Sequence, residues 1–177
     1  MTSTEEFVVL VDESDTEIGT MEKLQAHRSG RLHRAFSVFV LDSTGRVLLQ
    51  RRASAKYHSG GLWSNSCCGH PRPGESVSQG ARRRLREEMG LDCELTPVDS
   101  FVYFAQLEDG LTEHEFDHVF IGYSDAGPRP DPGEVGEWQW VHPEHIEEQL
   151  EVIPGDYTAW FAQAFRVVRQ QRNPPRT

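Results

Sequence analysis

Residues 61–91 read GLWSNSCCGHPRPGESVSQGARRRLREEMGL, and two signals overlap in them. The first is Cys67-Cys68-Gly69-His70-Pro71, which sets a thiol two residues from an imidazole. The second is the passage from an irregular segment into a helix. Pro71, Pro73 and Gly74 keep the chain irregular up to Glu75. Ser76 suits an N-cap and Gly90 a C-cap, so a helix is predicted between them. Val77, Ala81, Leu85 and Glu88 recur along one face of that helix. Glu88 therefore shares the stripe that packs inward, where a carboxylate needs a cation or a metal beside it. The alternative is a surface ion pair with Arg84, one turn back.

Outward from this stretch the chain reads as strands mixed with a few helices. Residues 7–11 predict a strand, and 18–26 a strand end followed by a short helix. Residues 36–41 are apolar and β-prone without clean alternation, as in a strand buried on both faces. A turn at 42–45 makes 46–50 the hairpin partner of that strand. Residues 52–61 form a basic loop ending in glycine. Residues 94–106 and 111–123 predict two strands joined around Glu108-Asp109-Gly110. A further strand at 137–141 alternates Trp138 and Trp140 into the core, and helices are expected at 142–150 and 156–170. The pattern implies an α+β fold, a mixed β-sheet sandwich flanked by helices, and not a doubly wound parallel sheet.

The 177 residues suffice for one well-filled domain and are too few for two ordinary ones. A single domain is expected over 1–177, its core over about 7–168 and a frayed tail at 171–177. The net charge of −10 opposes nucleic acid, so no nucleic-acid partner is expected; a local cationic cleft still admits a small anion. No apolar run approaches the roughly eighteen residues of a membrane span. Three cysteines, two of them adjacent, argue against a disulfide framework and suit a reducing, cytoplasmic setting. The oligomeric expectation is a monomer or a homodimer.

Several residues carry potential chemistry. Glu113 and Glu115 lie two apart in a predicted strand and so face one side, with Asp117 extending the row. They either share a cation or form a solvated outer face. His27 and His33 are six residues apart across Ser29-Gly30, too far round for one helix face, though a turn there is able to bring both rings together. Histidines and carboxylates in one place suit Mn²⁺, Fe²⁺ or Zn²⁺ better than a pure-oxygen ion. Lys23, Arg51, Arg52 and Lys56 are cations in an acidic chain that either clamp a phosphate or are ordinary surface charge. The tryptophans are core by default, although an indole face also stabilises a cation.

Two resemblances draw these residues together. Gly69, Glu75, Arg83, Leu85, Glu87, Glu88, Gly90 and Leu91 match the spacing of the Nudix box, G-x5-E-x7-R-E-U-x-E-E-x-G-U with U aliphatic. Arg84 stands where the box has its first glutamate. The stretches MEKLQAH (21–27), RLHRAFS (31–37), WSNSCCGHP (63–71) and EHE (113–115), in this order, resemble the type 1 isopentenyl-diphosphate Δ-isomerase family. The likeness covers about residues 8–165. It implies a Nudix fold and the interconversion of isopentenyl and dimethylallyl diphosphate. That family also lacks the glutamate at position 84, so Arg84 favours isomerisation over hydrolysis.

The resemblance further implies that His27, His33, His70, Glu113 and Glu115 hold one divalent ion, Mn²⁺, Mg²⁺ or Zn²⁺. Glu88 then helps to place a Mg²⁺ bound with the diphosphate, which Lys23, Arg52 and Lys56 contact. Cys68, next to Gly69-His70-Pro71, aligns with the catalytic cysteine, and nearby cations favour its thiolate. Glu115 matches the second catalytic position with Tyr103 beside it, and Trp160 the cation-facing tryptophan, on a segment able to close over the cleft. The reaction adds a proton at one carbon and removes another, through a tertiary carbocation or its equivalent. It needs a coupled acid and base and the exclusion of water. The rival readings are a Nudix hydrolase of a nucleoside diphosphate derivative and a binding module with a structural metal.

Overall fold

In the computed structural model, which describes residues 6–172, β1 (Phe7–Val11) and β2 (Glu17–Glu22) lead into α1 (Lys23–Ser29). Then come β3 (His33–Leu41), β4 (Val47–Arg52), β5 (Trp63–Ser64), β6 (Cys67–Gly69) and α2 (Val77–Met89). β7 (Leu95–Gln106), β8 (Thr112–Tyr123), β9 (Val135–Val141), α3 (Pro143–Val152) and α4 (Phe161–Arg172) complete the chain. The tail expected at 171–177 is helical as far as Arg172, and the remainder of it lies outside the described residues.

β3 is the axis of a nine-stranded sheet. Along one edge it pairs in parallel with β8, His33 opposite Glu115 through to Leu41 opposite Tyr123. Its other edge is shared by β1 at one end, β6 in the middle and β4 at the far end. All of β3 after Arg34 is buried, because both faces of the sheet are covered. Phe36, Val38 and Val40 point toward α2 and pack with Ala81, Leu85 and Met89. Phe39 and Leu41 point the other way, against Ile146 of α3 and Phe161, Phe165 and Val168 of α4. Alternation along one strand thus builds two cores, and the layers run helix, sheet, helices. No helix among the described residues is long and apolar enough to cross a membrane.

The predicted hairpin between β3 and β4 forms, but only next to its turn. The turn forms, with Gly45 N–H donating to the Asp42 carbonyl at 3.0 Å, but the strands pair only at Leu41 and Val47. Beyond that point β4 takes β9 as its long partner and β5 as a short one. The edge of β3 that a hairpin would fill is needed for β6, which carries the cysteines. β5 and β6 are too short for any periodicity to show. The hairpin of β7 and β8 is as expected, Gln106 opposite Thr112. Trp138 and Trp140 share one face of β9, but only Trp140 packs on the core and Trp138 is 37% exposed.

α2 follows its sequence signals closely. Ser76 and Gln79 form a reciprocal capping box, and Gly90 closes the helix at φ 62°. Its stripe of Ala81, Leu85 and Glu88 is buried. A side chain at Gly80 would meet Pro71 at 3.0 Å and Phe36 at 3.1 Å, so the absence of one lets the helix lie against the loop that carries His70. Full burial of a leucine such as Leu85 contributes about 1.5–3 kcal/mol.

Candidate metal centre and active-site cleft

Local structure presents each histidine in one tautomer. The Glu22 side chain caps α1, and Gly30 ends it in the left-handed region. His27 Nδ1 lies 2.7 Å from the Lys23 carbonyl, and His33 Nδ1 2.8 Å from that of Arg31. A carbonyl only accepts, so both Nδ1 atoms carry the proton and both Nε2 atoms keep a lone pair. The rings are fully buried, 4.9 Å apart, and neither Nε2 has a hydrogen-bond partner. His70, just past β6, stands 4.9 Å from His33 and 5.7 Å from His27, ring to ring. Its Nε2 lies 2.8 Å from Glu115 Oε1, and His33 Nε2 lies 3.5 Å from the same oxygen.

His27, His33, His70 and Glu115 each place a donor atom within 4.8 Å of the others. Two orphaned imidazole nitrogens aimed at a buried carboxylate fit a divalent ion, since an unsatisfied buried acceptor otherwise costs about 1–3 kcal/mol. Three nitrogens and an oxygen suit a borderline transition metal. Glu113 stands apart from these four; it groups with His27 and with His58, a residue the sequence reading passed over. The only hint of His58 was a histidine in the basic loop, which by itself says nothing of where the loop folds.

The acidic row of β8 proves to be inward. Glu113, Glu115 and Asp117 are 3%, 7% and 1% exposed, so the solvated-face alternative falls. The Tyr103 hydroxyl bridges the two glutamates, 2.7 Å from Glu113 Oε2 and 2.5 Å from Glu115 Oε2. Ser37 donates to Asp117 Oδ2 at 2.7 Å. Burial and the neighbouring Glu115 charge push the Glu113 carboxyl well above its ordinary range. Burial acts the same way on Glu115, but His33 and His70 override it and hold that group well below. Burial lowers His27, brings His70 down to about 4, and, with Arg52 nearby, His58 to about 3. All three imidazoles are neutral at pH 7, the form that ligates a metal.

The cluster opens into a cleft of about 630 Å³ that is also lined by Cys68, Trp160, Arg52 and Tyr103. Cys68 is half-buried, and its Cα opposes that of Ser37 across β3 and β6. Burial pushes its thiol up to about 12 against the pull of Arg52, whose Nη1 lies 3.8 Å from the sulfur. Desolvation thus works against the thiolate that nearby cations favour. Cys67 points away into the core and is fully buried. Trp160 is 3% exposed, with the Arg52 guanidinium 5.7 Å from its ring centre and its Nε1–H donating to Asn65 at 3.1 Å. It immediately precedes α4, and these contacts make it part of the cleft wall.

Of the four predicted cations, Lys23, Arg52 and Lys56 line the same cleft, whereas Arg51 is half-exposed outside it and faces Glu137. Lys23 pairs with Glu6, and Lys56 with Glu134. Arg84 Nη2 reaches both Glu88, at 2.6 Å, and Glu134, at 3.3 Å. Glu88 is buried and also accepts from Gln50 Nε2 at 2.8 Å. The inward carboxylate and the Arg84 pair, posed as alternatives, are therefore both present, and the pair is not a surface one.

A NUDIX domain model matches residues 31–161. The isopentenyl-diphosphate Delta-isomerase of Burkholderia multivorans is 54% identical over 157 residues, 89% of each chain. Isopentenyl-diphosphate Delta-isomerase 1 of Aromatoleum aromaticum is 52% identical over 98% of both chains. Among solved structures, DR0079 from Deinococcus radiodurans superposes with a TM-score of 0.73 at 27% identity, over 93% of this chain and 98% of that one. A MutT protein from Methanosarcina mazei shares the fold at a TM-score of 0.66 and 23% identity, over 80% of this chain and 96% of its own.

Proposed function

We propose how this site works from one premise: the chain belongs to the NUDIX family and, within it, to the isopentenyl-diphosphate Delta-isomerases. Its reaction is the interconversion of isopentenyl and dimethylallyl diphosphate, and in our reading 1–177 act as one domain. The observation that carries the residue assignments is that the Cys68 thiol and the Glu115 carboxylate line one cleft from strands on opposite edges of β3. Moving a double bond needs one group to give a proton and another to take one. Burial favours the protonated thiol at Cys68, while His33 and His70 favour the ionised form of Glu115, to which Tyr103 is hydrogen-bonded.

His27, His33, His70 and Glu115, with Glu113 beside them, would hold a divalent ion, Mn²⁺, Mg²⁺ or Zn²⁺. When bound, it supplies positive charge that keeps buried carboxylates ionised and ordered. Glu88 would help to place Mg²⁺ with the diphosphate, while Lys23, Arg52 and Lys56 orient the phosphate end. Orientation of this kind turns binding of the inert end into alignment of the alkene. Trp160 offers an indole face to developing positive charge without bonding to it. The buried aromatic and sulfur lining keeps water from capturing a cation.

Every assigned group comes from one chain, and in our reading the protein acts as a monomer or a homodimer. The free thiols suit a reducing setting such as the cytoplasm. The direct test is purified protein with Mg²⁺ and isopentenyl diphosphate, followed for dimethylallyl diphosphate. Release of phosphate from nucleoside diphosphates with no allylic product would instead identify a hydrolase.

A further inference from the structure

We propose that His58 is a positioning residue of the metal centre, orienting the Glu113 carboxylate from outside the ligand set. The inference rests on reading the histidine–glutamate cluster as a metal centre and goes beyond it to a residue that the sequence motifs do not include. His58 sits in the loop between β4 and β5, is 8% exposed, and points its Nε2 at Glu113 Oε1, 3.3 Å away. Tyr57 stands edge-on at 4.4 Å and Trp160 at 6.3 Å, while Arg52 Nη2 lies 3.4 Å from the His58 carbonyl. The ring is thus held by its neighbours. Ser59 Oγ lies 3.2 Å from Nδ1. A proton given by that hydroxyl to Nδ1 leaves Nε2–H directed at the carboxylate.

Glu113 is then addressed at both oxygens, by His58 at Oε1 and by Tyr103 at Oε2. Two donors fix the carboxylate plane, and each oxygen retains a lone pair for an ion. His27, His58 and Glu113 are close enough to hold an ion of their own, which raises the alternative of a second metal position. His27 decides against it. Its Nδ1 proton is committed to the Lys23 carbonyl, so it has one lone pair, at Nε2, and one lone pair serves one ion. The group formed by His27 with His33, His70 and Glu115 has more donors and claims that nitrogen. His58 is left to act through Glu113, as partners of metal-binding carboxylates do elsewhere.

The test uses the full chain loaded with Co²⁺, reading affinity by chelator competition and the ligand set by the visible spectrum. His58→Phe should weaken Co²⁺ about 10–100-fold while leaving the spectrum of the saturated protein unchanged. His58→Gln, whose amide N–H can reach the same carboxylate, should stay within about threefold of the parent. In a Glu113→Gln background, which also serves if His58→Phe alone does not fold, changing His58 to Phe or Leu should have no further effect. Unchanged affinity in His58→Phe, or losses that add to those of Glu113→Gln, would overturn the proposal. So would altered Co²⁺ bands in both His58 variants, which would make His58 a ligand. Failure of the metal-centre reading looks different: His33→Ala would then bind Co²⁺ as well as the parent chain.

Discussion

Arg84 and Glu88, one helical turn apart, meet at 2.6 Å where Glu88 is almost wholly buried. The position at which the Nudix box has a glutamate is thus filled by the counter-ion of a later glutamate of that box. Arg84→Ala would leave Glu88 with Gln50 as its remaining donor. The expected loss is roughly 3 kcal/mol. It should appear in urea as a lower midpoint with an unchanged m-value, and an unmoved midpoint would mean that the pair contributes nothing net.

Glu134 faces both Lys56 and Arg84, two cations of the cleft. An anion entering must compete with it. Glu134→Gln should therefore bind metal-free inorganic diphosphate several-fold more tightly, as calorimetry can read. Weaker binding would show that Glu134 assists the anion and does not hold its place.

Metal removal should give a stability maximum near pH 6. Below the ordinary imidazole value of 6.5, the unfolded chain takes up protons that His27, His58 and His70 refuse in the fold, so stability falls with acid. Glu113 and Asp117 act with the opposite sign. Burial raises both, so above their ordinary values the fold keeps protons that the unfolded chain releases, and stability falls as pH rises. An ion takes the place of the Glu113 proton and should flatten the alkaline decline. Urea midpoints at pH 5, 6 and 8, with and without chelator, check this; a steady gain from pH 6 to 8 in the chelated protein would contradict it.

The two neighbouring cysteines should separate cleanly. Cys68→Ala should lose turnover by a factor of about 10²–10⁴. Cys67→Ala should keep turnover and lose about 1 kcal/mol of stability, because Cys67 lies in the core. Iodoacetamide should modify Cys68 slowly at pH 8 and faster with rising pH, since the thiol titrates near 12, and substrate should protect it. Rapid alkylation at neutral pH would show a thiolate after all.

Trp160→Phe keeps an aromatic face under Arg52 and loses the bond to Asn65. Turnover should drop about tenfold with diphosphate affinity little changed. Trp160→Ala should lower both, because the support of Arg52 goes with the ring. Full turnover in the Phe variant would make Trp160 a packing residue.

Much of this was legible in the sequence, for identifiable reasons. α2 announces itself through its stripe, its N-cap and Gly90, all local signals. The acidic row on β8 was visible as a shared face, but whether that face looked inward depended on β3 and β7, which no local pattern specifies. His58 and Glu134 were missed because each acquires its role from partners distant in sequence, His58 from Glu113 and Glu134 from Lys56 and Arg84. The cations beside Cys68 are visible in the sequence, whereas the desolvation that opposes them is not. The β3–β4 hairpin is shorter than the local pattern suggests because its strands diverge beyond the turn to admit β6.

The parallel register of β3 and β8 also dictates an order of events. Ser37 and Asp117, which share a buried hydrogen bond, are 80 residues apart in the chain. Pairings across such a separation form slowly, because a long loop must close before any contact rewards it. His27 and His33 are near neighbours in sequence and can meet early, but the carboxylates arrive only once β8 has docked. A growing polypeptide therefore offers a metal ion no more than a fragment of the final cage. Tight retention of the ion should be among the last properties a refolding chain acquires, after most secondary structure has formed.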